Sequence, residues 1–151
     1  RRASGEDAGA MVLTELLPLL AAKGLDTSKV GFIGWAMGGY GALLLGARLG
    51  PARTAAICAV SPALYPSYGK AVESGAFDSP ADAVRHSVFG APALSAIPLR
   101  VDCGASDRFY LATKQFVASL RRAPSGVSFE GGHEVSSWRR KLPAQLAWLA
   151  S

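Results

Sequence analysis

The stretch VGFIGWAMGGYGALLLG, residues 30–46, decides the fold. It begins with the apolar run VGFIG, which predicts a short strand buried on both faces, as is typical of a parallel sheet. It continues into MGGYGALLLGARLG, a glycine-rich segment that predicts a helix ending near Gly50. Between the two lies GWAMG, residues 34–38, where we expect a sharp turn whose flanking glycines avoid a side-chain collision. The stretch therefore predicts a strand–turn–helix unit.

Strands and helices alternate along the rest of the chain. The apolar runs TAAICAVS, LRVDCG and VSFE predict three further strands. Helices are predicted over residues 8–23, over residues 108–122 and at the C-terminus, where we expect Pro143 to bend or restart the helix. In the first helix, Leu13, Leu16, Leu17 and Leu20 form an apolar stripe, and Pro18 is expected to kink it. This alternation predicts a mainly parallel α/β sheet with right-handed crossovers.

Composition limits the function classes. The 151 residues fit one domain, half of them hydrophobic and 18% charged, which is typical of a globular protein. No apolar run is long enough to predict a membrane span. Much of the net charge of +5 comes from the runs at 121–122 and 139–141, which lack interleaved aromatic residues. We therefore expect solvated helix faces and no nucleic-acid partner.

Two short features bear on compartment. The opening RRAS is followed by GEDAGA and not by an apolar segment, so a targeting role is disfavoured, and we expect any signal to lie upstream of Arg1. The compartment therefore stays open. Cys58 and Cys103 are too few for a disulfide scaffold and lack metal-ligand spacing, so both are predicted to be buried thiols.

Three chemically relevant positions follow predicted strands: Ala36, Asp107 and His133. Sites in parallel sheets lie at the carboxyl ends of the strands, so we expect these positions to meet. Residues 34–38 fit G-x-S-x-G except at the serine, and the order nucleophile, acid, histidine is that of the α/β-hydrolases. In that arrangement His133 is the base, Asp107 orients it, and the Met37 N–H faces a developing oxyanion.

The turn and Asp107 also have structural explanations, whereas His133 is less easily explained in this way because the chain has only one other histidine. The G-x-A-x-G turn also fits a plain tight turn, and Asp107 also fits a helix N-cap. Asp102 is a rival acid, but it lies within a strand and points into a face of the sheet. His86 lies in the irregular segment and is predicted to be structural or exposed, while Glu134 suits the positive end of the final helix.

With these residues assembled, the chain resembles the esterase branch of the α/β-hydrolases, which includes esterase D (S-formylglutathione hydrolase) and the mycolyltransferases of the mycobacterial envelope. GWAMGGYGA matches the pattern G-x-S-M-G-G-x-G-A, and CGASDRFY and GGHEVSSWRRKLPAQLAWL resemble the acid and histidine loops. The likeness runs from about residue 10 to the end and is nearest to actinobacterial members. It implies an α/β-hydrolase fold, C-terminal portion, with about four mainly parallel strands.

The resemblance also implies how the fold is divided. Residues 62–98 correspond to a cap between two strands, and Trp35, Tyr65 and Tyr68 are implied substrate-binding residues. Tyr65, Tyr68, Phe77 and Phe89 are expected to line an acyl pocket or, alternatively, to pack the cap. In this fold the turn follows the fifth strand. We therefore expect the first strands, with the second oxyanion donor, to belong to a remaining N-terminal part on the same or a separate chain.

Ala36 leaves two functions open. The first is a serine carboxylesterase or acyltransferase-type hydrolase of carboxylic esters, inactive here because its nucleophile was replaced by engineering; the intact surroundings favour it. The second is a natural pseudoenzyme that binds an acyl or ester ligand, or a protein, without turnover. A nucleophilic Cys103 is disfavoured because that thiol lies within a strand. The sequence has no metal cluster, phosphate loop or dinucleotide motif, so we expect no cofactor.

Overall fold

The computed structural model describes residues 5–151, so the RRAS motif lies outside the described residues. Its sheet has four parallel strands in the order β1-β2-β3-β4. The strands are β1 (Val30–Trp35), β2 (Thr54–Val60), β3 (Leu99–Gly104) and β4 (Ser128–Phe129). The predicted parallel α/β architecture is confirmed, although β4 is shorter than the run VSFE.

Helices alternate with these strands. The first, α1, consists of Ala8–Met11, a π-helical turn Val12–Leu16, and Leu17–Ala22. The others are α2 (Met37–Leu49), α3 (Tyr68–Ala71), α4 (Pro80–Arg85), α5 (Tyr110–Ser119) and α6 (Val135–Leu149), with 3₁₀ turns at Val72–Ser74 and Pro92–Ala96. Within residues 5–151, no helix has the length and apolar character needed to cross a bilayer.

The two prolines expected to distort helices behave differently. In α1 the wide π-helical turn lies just before Pro18, whose ring nitrogen has no hydrogen to donate. The apolar stripe there is only partly buried, since Leu17 is covered while Leu16 is 42% exposed. Pro143 lies inside α6, which continues through it. The prediction that Pro143 restarts this helix is therefore wrong.

The core lies between the sheet and the helices that cover it. Its largest buried side chains include Leu43, Ile57, Leu64, Leu94 and Phe116. Helix α2 packs closely on β2, because a Cβ at Gly46 would lie 2.4 Å from the Ile57 Cδ1 atom. This packing fixes α2, and with it the turn that precedes the helix.

Strand β1 is less buried than its sequence predicts. Phe32 and Ile33 are half-buried, Gly31 is exposed and Gly34 alone is buried. The reason is its position: among the described residues β1 pairs with β2 only and forms an edge of the sheet. The prediction of a strand covered on both faces is therefore wrong for β1, whereas β2 is covered along nearly its whole length.

Candidate active site

The turn between β1 and α2 holds Ala36 in an unusual conformation. Its φ of 51° and ψ of −118° lie where a residue with a side chain is strained by about 1–3 kcal/mol. Hydrogen bonds hold it there: the Ala36 N–H donates to the Val60 carbonyl at 3.0 Å. The Ala36 carbonyl accepts from the N–H groups of Ala63 at 2.9 Å and Tyr40 at 3.1 Å. The turn is therefore fastened to the end of β2.

Close approach explains only some of the glycines in this turn. A Cβ at Gly34 would lie 2.3 Å from the Gly38 carbonyl oxygen, which no side chain could tolerate. A Cβ at Gly39 would lie 3.0 Å from the Gly34 carbonyl oxygen and 3.2 Å from the Pro62 Cα. At Gly38 itself a Cβ would meet nothing within 4 Å. The expectation that both flanking glycines avoid collisions thus holds for Gly34 and fails for Gly38.

Met37 begins α2, so the backbone N–H of this residue has no acceptor within the helix. The positive end of the helix dipole lies at the same place. The Met37 side chain is 74% exposed and contributes little to the core. The N-terminus of α2 therefore offers backbone donors next to Ala36.

Asp107 and His133 form a hydrogen-bonded pair. The Nδ1 atom of His133 lies 2.9 Å from one carboxylate oxygen of Asp107 and 3.2 Å from the other. Since a carboxylate only accepts hydrogen bonds, Nδ1 is the nitrogen that donates, and in the neutral ring the lone pair is then on Nε2. Asp107 also accepts the N–H of Phe109 at 2.8 Å, and its side chain is fully buried. The N-cap of α5 is Phe109, so Asp107 lies just before the helix and binds a backbone N–H at its entrance.

The loops that carry this pair meet because the ends of β3 and β4 approach closely. Ala105 N–H donates to the Phe129 carbonyl at 2.7 Å, and Ser106 N–H donates to the Gly131 carbonyl at 3.0 Å. A Cβ at Gly104 would lie 2.4 Å from that Gly131 oxygen. The absence of a side chain at Gly104 thus lets the acid loop lie against the histidine loop.

Asp102, the rival acid, belongs to a separate buried network. Its carboxylate accepts from Arg100 Nε at 3.0 Å, from Gln145 Nε2 at 2.9 Å and from the Val127 N–H at 3.1 Å. The side chain is completely buried. These bonds join β3 to α6 and to the segment before β4, so Asp102 has a structural role.

Two aromatic rings pack against His133, and sequence reasoning assigned neither of them to the site. The Phe109 ring centroid lies 5.3 Å from the imidazole centroid, and the Trp138 ring centroid lies 5.0 Å away, nearly perpendicular to it. The Trp138 Nε1–H donates to the Ser61 Oγ atom at 3.1 Å. The sequence signal was weak: Trp138 resembled an ordinary apolar residue of the last helix.

The implied substrate-binding residues do not all share one cavity. A cavity of about 610 Å³ is lined by Leu64, Tyr65, Lys70, Arg108, Phe109 and Leu111, among others. Tyr65 packs edge-on against Phe109 at 5.5 Å, so this cavity adjoins the ring that contacts His133. Tyr68 begins α3 and does not line the cavity. Trp35 ends β1, and its Nε1 atom is buried without a hydrogen-bond partner among residues 5–151.

Phe77 and Phe89 lie elsewhere. The Phe77 ring packs edge-on against Tyr40 at 6.1 Å, and Phe89 packs against Phe116 at 5.8 Å. Neither lines the cavity beside Tyr65. Of the two explanations weighed for them, packing within the fold describes their observed contacts.

The remaining candidate side chains have local partners. His86 Nδ1 lies 2.9 Å from the Asp82 backbone oxygen and 3.0 Å from its carboxylate. The His86 carbonyl accepts from the Tyr40 hydroxyl at 2.8 Å. Glu134 is the N-cap residue of α6 and accepts from the Ser137 hydroxyl at 2.8 Å. Both residues thus hold local structure together.

The cysteines are buried in the sheet. Cys58 has no exposed surface and Cys103 is 3% exposed. Burial raises the pKa of the Cys58 thiol to about 12 and that of Cys103 to about 11. Since the thiolate is the nucleophilic form, neither cysteine is suited to nucleophilic chemistry near neutral pH.

A parallel sheet with a strained strand–helix turn and an acid–histidine pair at its carboxyl edge defines the α/β-hydrolase class. The family described as "Putative esterase" matches residues 9–149. The chain therefore belongs to this esterase family. No curated protein matches the sequence significantly.

Solved structures share the fold at low sequence identity. A ferulic acid esterase is 20% identical with a TM-score of 0.73, covering 93% of this chain and 59% of that protein. S-formylglutathione hydrolase from Staphylococcus aureus is 16% identical with a TM-score of 0.73, covering 100% of this chain and 66% of that one. A serine-to-alanine mutant of the feruloyl esterase module from Clostridium thermocellum, complexed with sinapinate, is 12% identical with a TM-score of 0.63, covering 93% and 57%. The chain thus spans less than two thirds of these proteins.

Proposed function

We propose that the protein is a carboxylic ester hydrolase of the serine type, in which Ala36 occupies the nucleophile position. The observation that carries this proposal is the 2.9 Å hydrogen bond between His133 and the buried Asp107. The pair lies at the same edge of the sheet as the strained turn at Ala36. Membership of the esterase family supports the reaction class.

With serine at position 36, the reaction follows the serine-hydrolase scheme. The serine Oγ attacks the ester carbonyl carbon while His133 Nε2 takes the hydroxyl proton. Asp107 accepts from Nδ1 and stabilises the resulting imidazolium, and the Met37 N–H donates to the oxyanion. The C–O bond to the alcohol then breaks, and His133 returns the proton to the leaving oxygen. Water, or an alcohol in an acyltransferase, releases the acyl group by the same route.

Alanine at position 36 removes the attacking oxygen and leaves the other groups in place. Loss of a serine nucleophile lowers kcat by roughly 10⁶-fold in a comparable triad. We therefore expect the chain as it stands to bind an ester without turning it over. Tyr65 is proposed to contact that ester, because it lines the cavity beside Phe109. Contacts from Trp35 and Tyr68 stay predictions.

The alternative proposal is a natural pseudoenzyme that binds an ester, an acyl ligand or a protein. It is favoured by Ala36 itself, which occupies the strained turn without a hydroxyl. The codon for position 36 in the source gene discriminates the two. A serine codon supports an engineered inactive variant, and an alanine codon supports natural loss.

We further propose that additional strands of the protein pair with the open edge of β1. Two observations support this: β1 pairs only with β2 among the described residues, and the chain spans 57–66% of three related structures. Hydrogen exchange at residues 30–35 tests it. The amides of β1 that point away from β2 should exchange slowly in the full-length protein and fast in the 151-residue chain. Equal exchange in both would contradict the proposal.

Restoring the nucleophile tests the principal proposal. The full-length Ala36→Ser variant is assayed with short p-nitrophenyl esters, alongside the Ala36 protein and the double variant Ala36→Ser/His133→Gln. Ala36→Ser is expected to hydrolyse the esters at least about 10³-fold faster than the double variant, because a serine hydroxyl without its base is a weak nucleophile. The Ala36 protein should show no hydrolysis. A folded Ala36→Ser protein without hydrolysis of any ester tested would overturn the proposal.

A further inference from the structure

We propose that Ser61 and Trp138 form a brace that positions the His133 imidazole against residue 36. The inference rests on the proposed function, since a brace for His133 matters only where that ring transfers protons. Ser61 and Trp138 are 77 residues apart, and their hydrogen bond connects the end of β2 to α6. They are positioning residues, because they act through His133.

The Ser61 end of the brace is rigid. Ser61 has no exposed surface, and its N–H donates to the Asp102 carbonyl at 2.7 Å. Its φ of 45° is unusual for a residue with a side chain. A conformation of this kind persists only where surrounding bonds and packing impose it. Ser61 Oγ is thus held in place as the acceptor for the Trp138 indole N–H.

The Trp138 end lies against the histidine. Asp107 binds only Nδ1 of His133, so that bond alone leaves the ring free to swing about the bonded nitrogen. The Trp138 ring lies 5.0 Å from the imidazole at an interplanar angle of 88°, and the Phe109 ring lies 5.3 Å away at 63°. These contacts limit the swing, and the indole cannot move aside while Ser61 holds its N–H.

The same short segment also holds position 36. Val60, next to Ser61, accepts the Ala36 N–H at 3.0 Å, and Ala63 donates to the Ala36 carbonyl at 2.9 Å. Residues 60–63 therefore connect the nucleophile position and the anchor of Trp138. The brace therefore fixes the His133 ring relative to residue 36. An error of about 1 Å in such an arrangement lowers the rate by up to about 10²-fold.

The first test uses the chain with Ala36 and needs no catalysis. Proton NMR detects the downfield signal of the His133 Nδ1–H that is bonded to Asp107. Trp138→Phe keeps a ring but removes the indole N–H, and Ser61→Ala removes its acceptor. Both are expected to speed solvent exchange of that proton by about 10-fold or more, because opening of the ring exposes it.

Trp148→Phe is the control. It removes an indole N–H from the same helix about 15 Å further along, given a rise of 1.5 Å per residue, and should leave the signal unchanged. If Trp138 and Ser61 act through their mutual bond, the double variant should exchange no faster than either single variant. Unchanged exchange in both folded single variants would overturn the proposal.

The second test uses the Ala36→Ser background. Trp138→Phe and Ser61→Ala should lower kcat by about 10- to 100-fold while KM changes little, since the brace affects proton transfer more than substrate binding. Trp148→Phe should leave both constants unchanged. If Ala36→Ser itself is inactive, the proposed function fails while the NMR test still decides the brace. An unaltered kcat in both variants would contradict it.

Discussion

His133 Nδ1 lies 2.9 Å from the Asp107 carboxylate, although the two residues are 26 positions apart in the chain. The carboxylate is fully buried and also accepts the Phe109 N–H, so its orientation is fixed. The histidine ring is therefore oriented with Nδ1 as the donor to this carboxylate. This geometry fits the base and orienting roles proposed for the pair, and residue 36 is an alanine, which has no hydroxyl group.

The two buried aspartates are predicted to act differently on catalysis and on stability. In the Ala36→Ser background, Asp107→Asn should lower kcat by about 10⁴-fold, because an amide stabilises the wrong tautomer of His133. Asp102→Asn should leave kcat nearly unchanged and lower the free energy of unfolding by about 1–3 kcal/mol, because it weakens the bonds from Arg100 and Gln145. Steady-state kinetics and urea unfolding measure the two effects. If Asp102→Asn lowered kcat by this amount and Asp107→Asn did not, the assignment of Asp107 as the acid would be wrong.

The glycines at the two ends of the turn are predicted to differ in how well they tolerate substitution by alanine. Gly34→Ala places a Cβ 2.3 Å from the Gly38 carbonyl oxygen and should lower the free energy of unfolding by about 3 kcal/mol or more. Gly38→Ala enters open space and should change it by less than about 1 kcal/mol. Chemical denaturation compares them directly. Equal losses would mean that the turn differs from the one described.

Replacing Ala36 by glycine is predicted to stabilise the protein, because it relieves backbone strain. Ala36→Gly should raise the free energy of unfolding by about 1 kcal/mol, because glycine accepts a φ of 51° and the strain removed exceeds the added entropy of the unfolded chain. For a domain of this size, Tm should rise by about 2–4 °C. Ala47→Gly, within α2, is the control and should destabilise by about 1 kcal/mol. A loss of stability in Ala36→Gly would show that position 36 is unstrained.

The buried thiols predict a loss of stability at alkaline pH. Folding raises the pKa of Cys58 from its usual value near 9 to about 12 and that of Cys103 to about 11. Above pH 9 the unfolded chain therefore loses thiol protons that the folded chain keeps, so stability falls as pH rises to about 11–12. Denaturation at several pH values measures this, with Cys58→Ala as the comparison. The slope should be shallower in that variant, and an identical slope would contradict the assignment.

Thiol reactivity checks the same burial at neutral pH. Both cysteines should resist alkylation in the folded protein and react on unfolding, because neither is exposed by more than 3%. Iodoacetamide labelling followed by mass spectrometry reports each thiol separately. Rapid labelling of Cys103 in the native state would reopen the question of a cysteine nucleophile.

The proximity of Asp107 and His133 could be predicted from the sequence more readily than packing could. Asp107 and His133 could be found because each follows a strand, and the parallel topology brings such ends to one edge. The exposure of β1 could not be found, since an apolar run does not say which strands lie beside it. The actinobacterial affinity stays a prediction.

Contacts between distant elements could not be predicted from the sequence either. The hydrogen bond between Ser61 and Trp138 spans 77 residues and leaves no periodic pattern in the sequence. Helix α6 continues through Pro143, although a proline inside a helix costs about 3 kcal/mol relative to alanine. Gly38 matched a motif without being required by space, so a motif glycine alone does not establish close approach.

Covalent labelling of the Ala36→Ser variant with a fluorophosphonate probe tests whether His133 activates a nucleophile at residue 36. Mass spectrometry of the digested protein locates the label. An activated serine displaces fluoride and acquires a phosphonyl group, so an adduct on residue 36 is expected. The adduct should form at least about 10³-fold more slowly in Ala36→Ser/His133→Gln, because His133 removes the hydroxyl proton. A folded Ala36→Ser protein that gives no adduct, or an adduct that forms equally fast without His133, would show that residue 36 and His133 do not act as nucleophile and base.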